Sequence, residues 1–214
     1  MSDRATRTAS TAGVQSLIDQ LVAEAERDRD PGETPDVGII MGSDSDLDVM
    51  VGAYEALTEL GFAEVTDYDA PPESRYSFES YVVSAHRTPH LMAVYAETAI
   101  DRGLSVIIAG AGGKSADLPN MTASFAYPLP VIGVPVQEKS VDSVIGMPTG
   151  APIVAVDAGK SYNAALSAVQ ILALQDRALR TALLEYHTSL QEGVAAASRG
   201  LHELGTPAYR EQLE

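Results

Sequence analysis

"VGIIMGSDSDLDVM", Val37 to Met50, decides the fold. It opens with a short run that is apolar throughout, with no polar residue at alternate positions. It then turns through a glycine, two serines and two aspartates, and resumes at helical spacing toward Leu60, where Gly61 closes the helix. A strand that is apolar on both faces must be covered on both faces, which is the condition of a strand in a parallel sheet.

The same alternation runs outward from it. Upstream, Val14, Leu17, Ile18, Leu21, Val22 and Ala25 recur at helical spacing, so an amphipathic helix is predicted over 12–28, after a polar, frayed start at 1–12. "DRDPGETPD" (28–36) follows as a linker. Downstream, a strand is expected near 63–67 or 79–83, or at both. Thr88 and Pro89 open a helix to about Arg102, which Gly103 ends. "LSVIIAG" (104–110), "PVIGVPV" (130–136) and "APIVAV" (151–156) read as further strands, with a short helix around 117–125. Helices over Ser161–Leu174 and from Asp176 to about Leu204 finish the chain. "TDYDAPPESRYS" (66–77) reads as a surface insertion. The pattern predicts a three-layer, flavodoxin-like α/β/α domain over 36–175, with an N-terminal extension (1–35) and a C-terminal helix and tail (176–214).

In open parallel sheets ligands bind beyond the carboxyl ends of the strands. "MGSDSD" (41–46), "SAHRTP" (84–89), "AGAGGKS" (109–115) and "VPVQ" (134–137) all fall there. Ser43 and Ser45 precede a helix whose free N–H groups attract phosphate. Arg87 adds a forked cation, Asp46 can accept from sugar hydroxyls, and Gly110, Gly112 and Gly113 let backbone approach a ring. These parts fit a sugar monophosphate carrying a small ring. Each has an ordinary reading too: serines and aspartates before helices are N-caps, and a single histidine after a strand is commonly structural.

Other motifs fail on spacing. Asp44, Asp46, Asp48 and Glu55 fit a calcium loop, but Val49 stands where its glycine must be. "GGKS" (112–115) and "AGKS" (158–161) lack the leading glycine of a nucleotide-triphosphate loop, with Ile108 and Val154 in its place. A receiver module would need an aspartate at the end of the third strand, where "AGAGG" stands. No metal site and no cofactor is expected.

The bulk composition sets further bounds. Thirty Asp and Glu against fourteen Lys and Arg give a formal charge of −16, with lysine only at 114, 139 and 160. That argues against nucleic-acid binding, which needs a basic face. It fits a halophilic cytosol, where salt screens the repulsion. No cysteine occurs, which excludes disulfides and thiolate chemistry. No membrane span and no secretory leader is read in the chain, and the cytoplasm is the expected location.

With these residues in view, the sequence resembles the aminoimidazole ribonucleotide carboxylase/mutase family of purine biosynthesis (PurE). The segments that carry the likeness are "GIIMGSDSD" (38–46), "VVSAHRTP" (82–89), "VIIAGAGG" (106–113), "LPNMTA" (118–123), "PLPVIGVPVQ" (128–137) and "NAALSAVQILAL" (163–174). The resemblance implies a cofactor-free, metal-free mutase that moves the carboxylate of 5-(carboxyamino)imidazole ribonucleotide from the exocyclic nitrogen to ring carbon 4. It also implies a homo-octamer and a functional link to the ATP-dependent synthase that makes this substrate. By matching position, Ser43, Asp46 and Arg87 would bind the ribose phosphate and His86 would be the acid/base; Ser45, Ser84 and the glycines of 110–113 would line the pocket. One loop departs. Mutase-type members read "GGAAHLPGM", whereas this chain has "GGKSADLPNM" (112–121), one residue longer and without the second histidine. Its "KS" resembles the "RS" of a branch that adds free carbon dioxide to aminoimidazole ribonucleotide. Direct carboxylation and a non-enzymatic nucleotide-binding module therefore stay as alternatives.

Overall fold

A computed structural model describes residues 10–213; the first nine positions of the frayed start lie outside them. The chain divides after Ile171 into two compact units.

The first unit is built on one all-parallel sheet of six strands: β1 (Val37–Met41), β2 (Phe62–Glu64), β3 (Tyr76–Val82), β4 (Val106–Ala111), β5 (Val131–Pro135) and β6 (Val154–Ala155). Its order is β2-β3-β1-β4-β5-β6. The chain moves outward from β1 to one side, then crosses to β4 on the other, which is the switch of a flavodoxin-like sheet with β2 added at the edge. Every residue of β1, β4 and β5 is buried, as their uninterrupted apolar runs require. Helices α1 (Ala12–Ala25), α2 (Leu47–Glu59), α3 (Pro89–Glu97), α4 (Leu118–Phe125), α5 (Val141–Ile145) and α6 (Ser161–Leu172) accompany the strands.

Three element boundaries differ clearly from expectation, while the 63–83 region follows it. Both candidate strands of the 63–83 region form, as β2 and β3, and they pair in parallel. Parallel neighbours need a crossover connection, and 65–75 supplies it; most of the segment is exposed or half-buried, as a surface segment's residues would be. Tyr68 within it is 9% exposed. Its hydroxyl donates to buried Glu79 and lies 3.0 Å from the Tyr81 hydroxyl. Burial, reinforced by Glu79, pushes the Tyr68 pKa far up, so it donates as a neutral phenol.

Helix α3 stops at Glu97, five residues early, because Thr98 and Arg102 are drawn inward. Arg102 donates to Thr98 Oγ1 at 3.1 Å and to the Tyr95 carbonyl at 3.1 Å, and it pairs with Glu79. Turns then run to Gly103, whose φ of 95° ends them. Strand β6 is two residues instead of six, with Val154 52% exposed at the sheet edge.

The second unit is the long helix α7 (Arg177–Glu211), capped by Asp176, which accepts from the N–H groups of Ala178 and Leu179. It bends where it was expected to end: Gly205 has φ 75° and Pro207 follows. Leu184, Leu190 and Val194 on this helix are 63%, 49% and 73% exposed.

The Glu79–Arg102 pair is the polar element most deeply set in the core, with both side chains 1% exposed. Removing one partner strands the other charge, at about 3–5 kcal/mol. Arg102→Met is expected to lower stability by that amount in denaturant unfolding. A loss below about 1 kcal/mol, the range of an exposed pair, would contradict this.

Candidate active site

Because β1, β3, β4 and β5 are parallel, the loops leaving their carboxyl ends meet at one edge of the sheet. They enclose a cleft of about 400 Å³ at the β1/β4 switch. Gly42, Ser43, Ser45 and Asp46 come from the first loop, Ser84, His86 and Arg87 from the second. Gly112, Gly113, Ser115 and Asp117 come from the third, with Gln137 and Lys139 beyond β5. A second cavity, about 300 Å³, lies at the amino ends of the strands; its Arg27 and Arg29 are paired with Glu24 and Asp69.

The first loop keeps its N-cap chemistry. Ser43 Oγ accepts from the Ser45 N–H and donates to Asp44. The turn that follows is 3₁₀, Asp44–Asp46, before α2 begins. Asp46 is 7% exposed at the cleft floor. Burial pushes its carboxyl up, against the lowering effect of the Ser43 backbone and the Arg87 charge. Gly112 has no side chain for the sake of this carboxylate: a Cβ there would stand 3.1 Å from Asp46 Oδ1.

In the second loop Ser84 and Arg87 hold each other. Ser84 Oγ accepts from the Arg87 N–H at 3.1 Å and from Arg87 Nε at 3.3 Å. Arg87 Nη2 donates to the Gly42 carbonyl at 2.7 Å, tying the second loop to the first. Thr88 does not cap α3 with its side chain. It accepts from the Ser84 N–H and donates to the Ser84 carbonyl, closing the turn that presents His86.

Eight of the nine sequence-derived site residues border the cleft: His86, Ser43, Ser45, Asp46, Ser84, Arg87, Gly112 and Gly113. Gly110 stands back. Its Cα faces the Met50 side chain, leaving no room for a Cβ, and its carbonyl accepts the Gly42 N–H. Its lack of a side chain serves helix–sheet packing. Gly113 is needed for its φ of 84°, and its carbonyl accepts from Ser140 Oγ at 2.8 Å.

Sequence reasoning missed Asp117. Its Oδ2 lies 3.0 Å from His86 Nε2, and its Oδ1 accepts from Ser143 Oγ at 3.1 Å. An aspartate just before a helix reads as a cap, and only the pairing with a residue 31 positions away reveals otherwise. Lys139, which the sequence marks only as one of three lysines, borders the cleft as well. Lys114, read with Ser115 as the unusual pair of this loop, is exposed, while Ser115 borders the cleft.

Taken together these features define a doubly wound α/β domain with a cleft at its switch point lined by serines, an arginine, a buried aspartate and an imidazole. Comparison with known proteins carries this further: the chain belongs to the AIR carboxylase family, whose pattern it matches over residues 36–193. It is 45% identical over 186 residues to the N5-carboxyaminoimidazole ribonucleotide mutase of Mycobacterium tuberculosis, covering 84% of this chain and 98% of that one. It is 43% identical over 183 residues to the phosphoribosylaminoimidazole carboxylase of Saccharomyces cerevisiae, covering 83% of this chain and 29% of that one. The crystal structure of Treponema denticola PurE shares the fold, with a TM-score of 0.61 at 24% identity over 80% of this chain and 99% of that one.

Asp46 gives a prediction with a sign. A carboxyl whose folded pKa is raised is bound to its proton more tightly in the native state, so its stability contribution is lost as pH rises through that folded value. At neutral pH ionised Asp46 therefore costs the fold. Asp46→Asn is expected to raise the melting temperature at pH 7, with a smaller gain at pH 4. A melt at pH 7 that is unchanged or lower would contradict this.

Proposed function

We propose that the protein is an N5-carboxyaminoimidazole ribonucleotide mutase of purine biosynthesis. The observation that carries this is the convergence of His86, Asp46, Arg87 and the serine loop on one cleft in a chain of this family. In this reading Ser43, Asp46 and Arg87 hold the ribose phosphate, Ser45, Ser84, Gly112 and Gly113 line the pocket, and His86 moves protons.

The chemistry needs one group that gives a proton and takes one back. Imidazolium His86 protonates the carbamate nitrogen, the nitrogen–carbon bond breaks, and carbon dioxide leaves an electron-rich aminoimidazole. Ring carbon 4 attacks the trapped carbon dioxide, and the proton on that carbon passes to His86. The histidine ends protonated, as it began, and no redox change occurs. Imidazole suits both directions near neutral pH, and the cleft supplies proximity.

Direct carboxylation of aminoimidazole ribonucleotide is the second reading. The loop Lys114-Ser115-Ala116-Asp117, without a second histidine, favours it, as do the yeast relatives named as carboxylases. Assaying the purified protein with each ribonucleotide separates the two: carbamate-dependent turnover without bicarbonate is expected. His86→Asn should lower that turnover by about 10³–10⁴-fold with product affinity little changed. Substantial turnover in a folded, product-binding His86→Asn protein would remove His86 from the mechanism. Arg87→Ala should weaken product binding by roughly 1.5–3 kcal/mol in calorimetric titration; unchanged affinity would put the phosphate elsewhere.

The same reading includes a cytoplasmic homo-octamer in which α7 meets neighbouring subunits through Leu184, Leu190 and Val194, working after an ATP-dependent synthase. Among the described residues no helix is long and apolar enough to cross a membrane. The acidic surface fits a salt-rich interior. Light scattering at high salt should give several times 22.5 kDa. Melting temperature should climb from dilute to molar salt; a monomer, or a flat melt, would count against these points.

A further inference from the structure

Three side chains from three elements form a hydrogen-bonded row that leads away from the cleft, where His86 and Asp117 stand. Ser143, on α5, donates its hydroxyl to Asp117 Oδ1 at 3.1 Å. Asp117 Oδ2 stands 3.0 Å from Nε2 of His86, on the loop after β3. Behind them Asn120, on α4, donates Nδ2–H to the Ser143 carbonyl at 2.6 Å and so fixes α5 against α4. Asp117 occupies the N-cap position of α4, yet its side chain makes no capping hydrogen bond. Its two oxygens are spent on Ser143 and His86 instead.

We propose that Asp117 is the positioning residue for His86, fixing the imidazole with its hydrogen on Nε2 and leaving Nδ1 as the nitrogen that exchanges a proton with the ligand. A carboxylate only accepts, so the ring nitrogen facing it must be the donor. Ser143 holds the carboxylate from its far side, so the ring is anchored through Asp117 to α5. With Nε2–H committed, a proton given from Nδ1 and a proton taken back arrive at the same atom, and no tautomer exchange or ring flip intervenes between the two half-reactions. The kinetic consequence rests on the carboxylate-transfer reading; the tautomer does not.

Two substitutions test it. Asp117→Asn keeps the shape but, with Ser143 donating to its oxygen, turns an NH₂ toward Nε2. That nitrogen must then accept, and the hydrogen moves to Nδ1. Asp117→Ala removes the partner and lets both tautomers coexist. Long-range proton–nitrogen spectra of protein labelled with nitrogen-15 histidine, at alkaline pH where imidazole is neutral, read the tautomer directly; His86→Asn assigns the signals. The parent is expected to be Nε2–H, the Asn variant Nδ1–H and the Ala variant a mixture. Carbamate turnover should fall by about 10²-fold or more in the Asn variant and by less in the Ala variant, with KM little changed. A merely structural aspartate would give the reverse order, since asparagine is the closer mimic in shape. A parent His86 carrying its hydrogen on Nδ1, or an Asn variant as active as the Ala variant, overturns the proposal. Should the parent turn over neither ribonucleotide, the carboxylate-transfer reading falls, and the spectra alone uphold or overturn the role of Asp117.

Discussion

Parallel pairing is the constraint on which everything else depends. Strands β3, β1, β4 and β5 all run the same way, so the chain must leave each at the same edge and return along the opposite face through a helix. Four loops are therefore gathered without any loop having to seek another. The order reverses between β1 and β4, and the crevice opens there. Gly42 and Arg87 then lock adjacent loops together by one hydrogen bond, and Gly112 leaves the room that Asp46 occupies.

The cleft is assembled at some cost to the fold. Among the described residues buried Asp46 has no salt bridge, so its charge is held against the preference of its surroundings. Asn120 Oδ1 is buried without a partner while its amide nitrogen positions Ser143. Holding a buried carboxylate at the edge of a cleft in this way trades stability for what the cleft does. The core elsewhere carries orphans of its own, the Tyr95 and Ser80 hydroxyls, both buried without a hydrogen-bond partner. Its one buried ion pair, among the described residues, is bounded by Tyr68 and Tyr95, whose hydroxyls burial keeps protonated.

What could be read in the sequence followed from local rules. Continuous apolar runs marked β1, β4 and β5, and glycines closed α2 and the turns after α3, because those signals depend only on neighbouring residues. The loop residues of the cleft were legible because topology alone brings strand ends together. Long-range pairing was not. Tyr68 looked like part of an exposed insertion because its partner, Glu79, lies eleven residues away on another element. The pairing of Asp117 with His86 and the packing of Met50 over Gly110 were hidden, because the sequence does not tell which side chain will fill the space above a given Cα.

The central claim is that carbon dioxide released from the carbamate is the same molecule that carbon 4 captures. Turning over substrate labelled with carbon-13 in its carbamate, in a buffer of unlabelled bicarbonate, tests this most directly. Transfer within the cleft requires the product carboxylate to keep the label whatever the bicarbonate concentration. Product whose label is diluted in proportion to bicarbonate would mean capture from solution, and would contradict the claim.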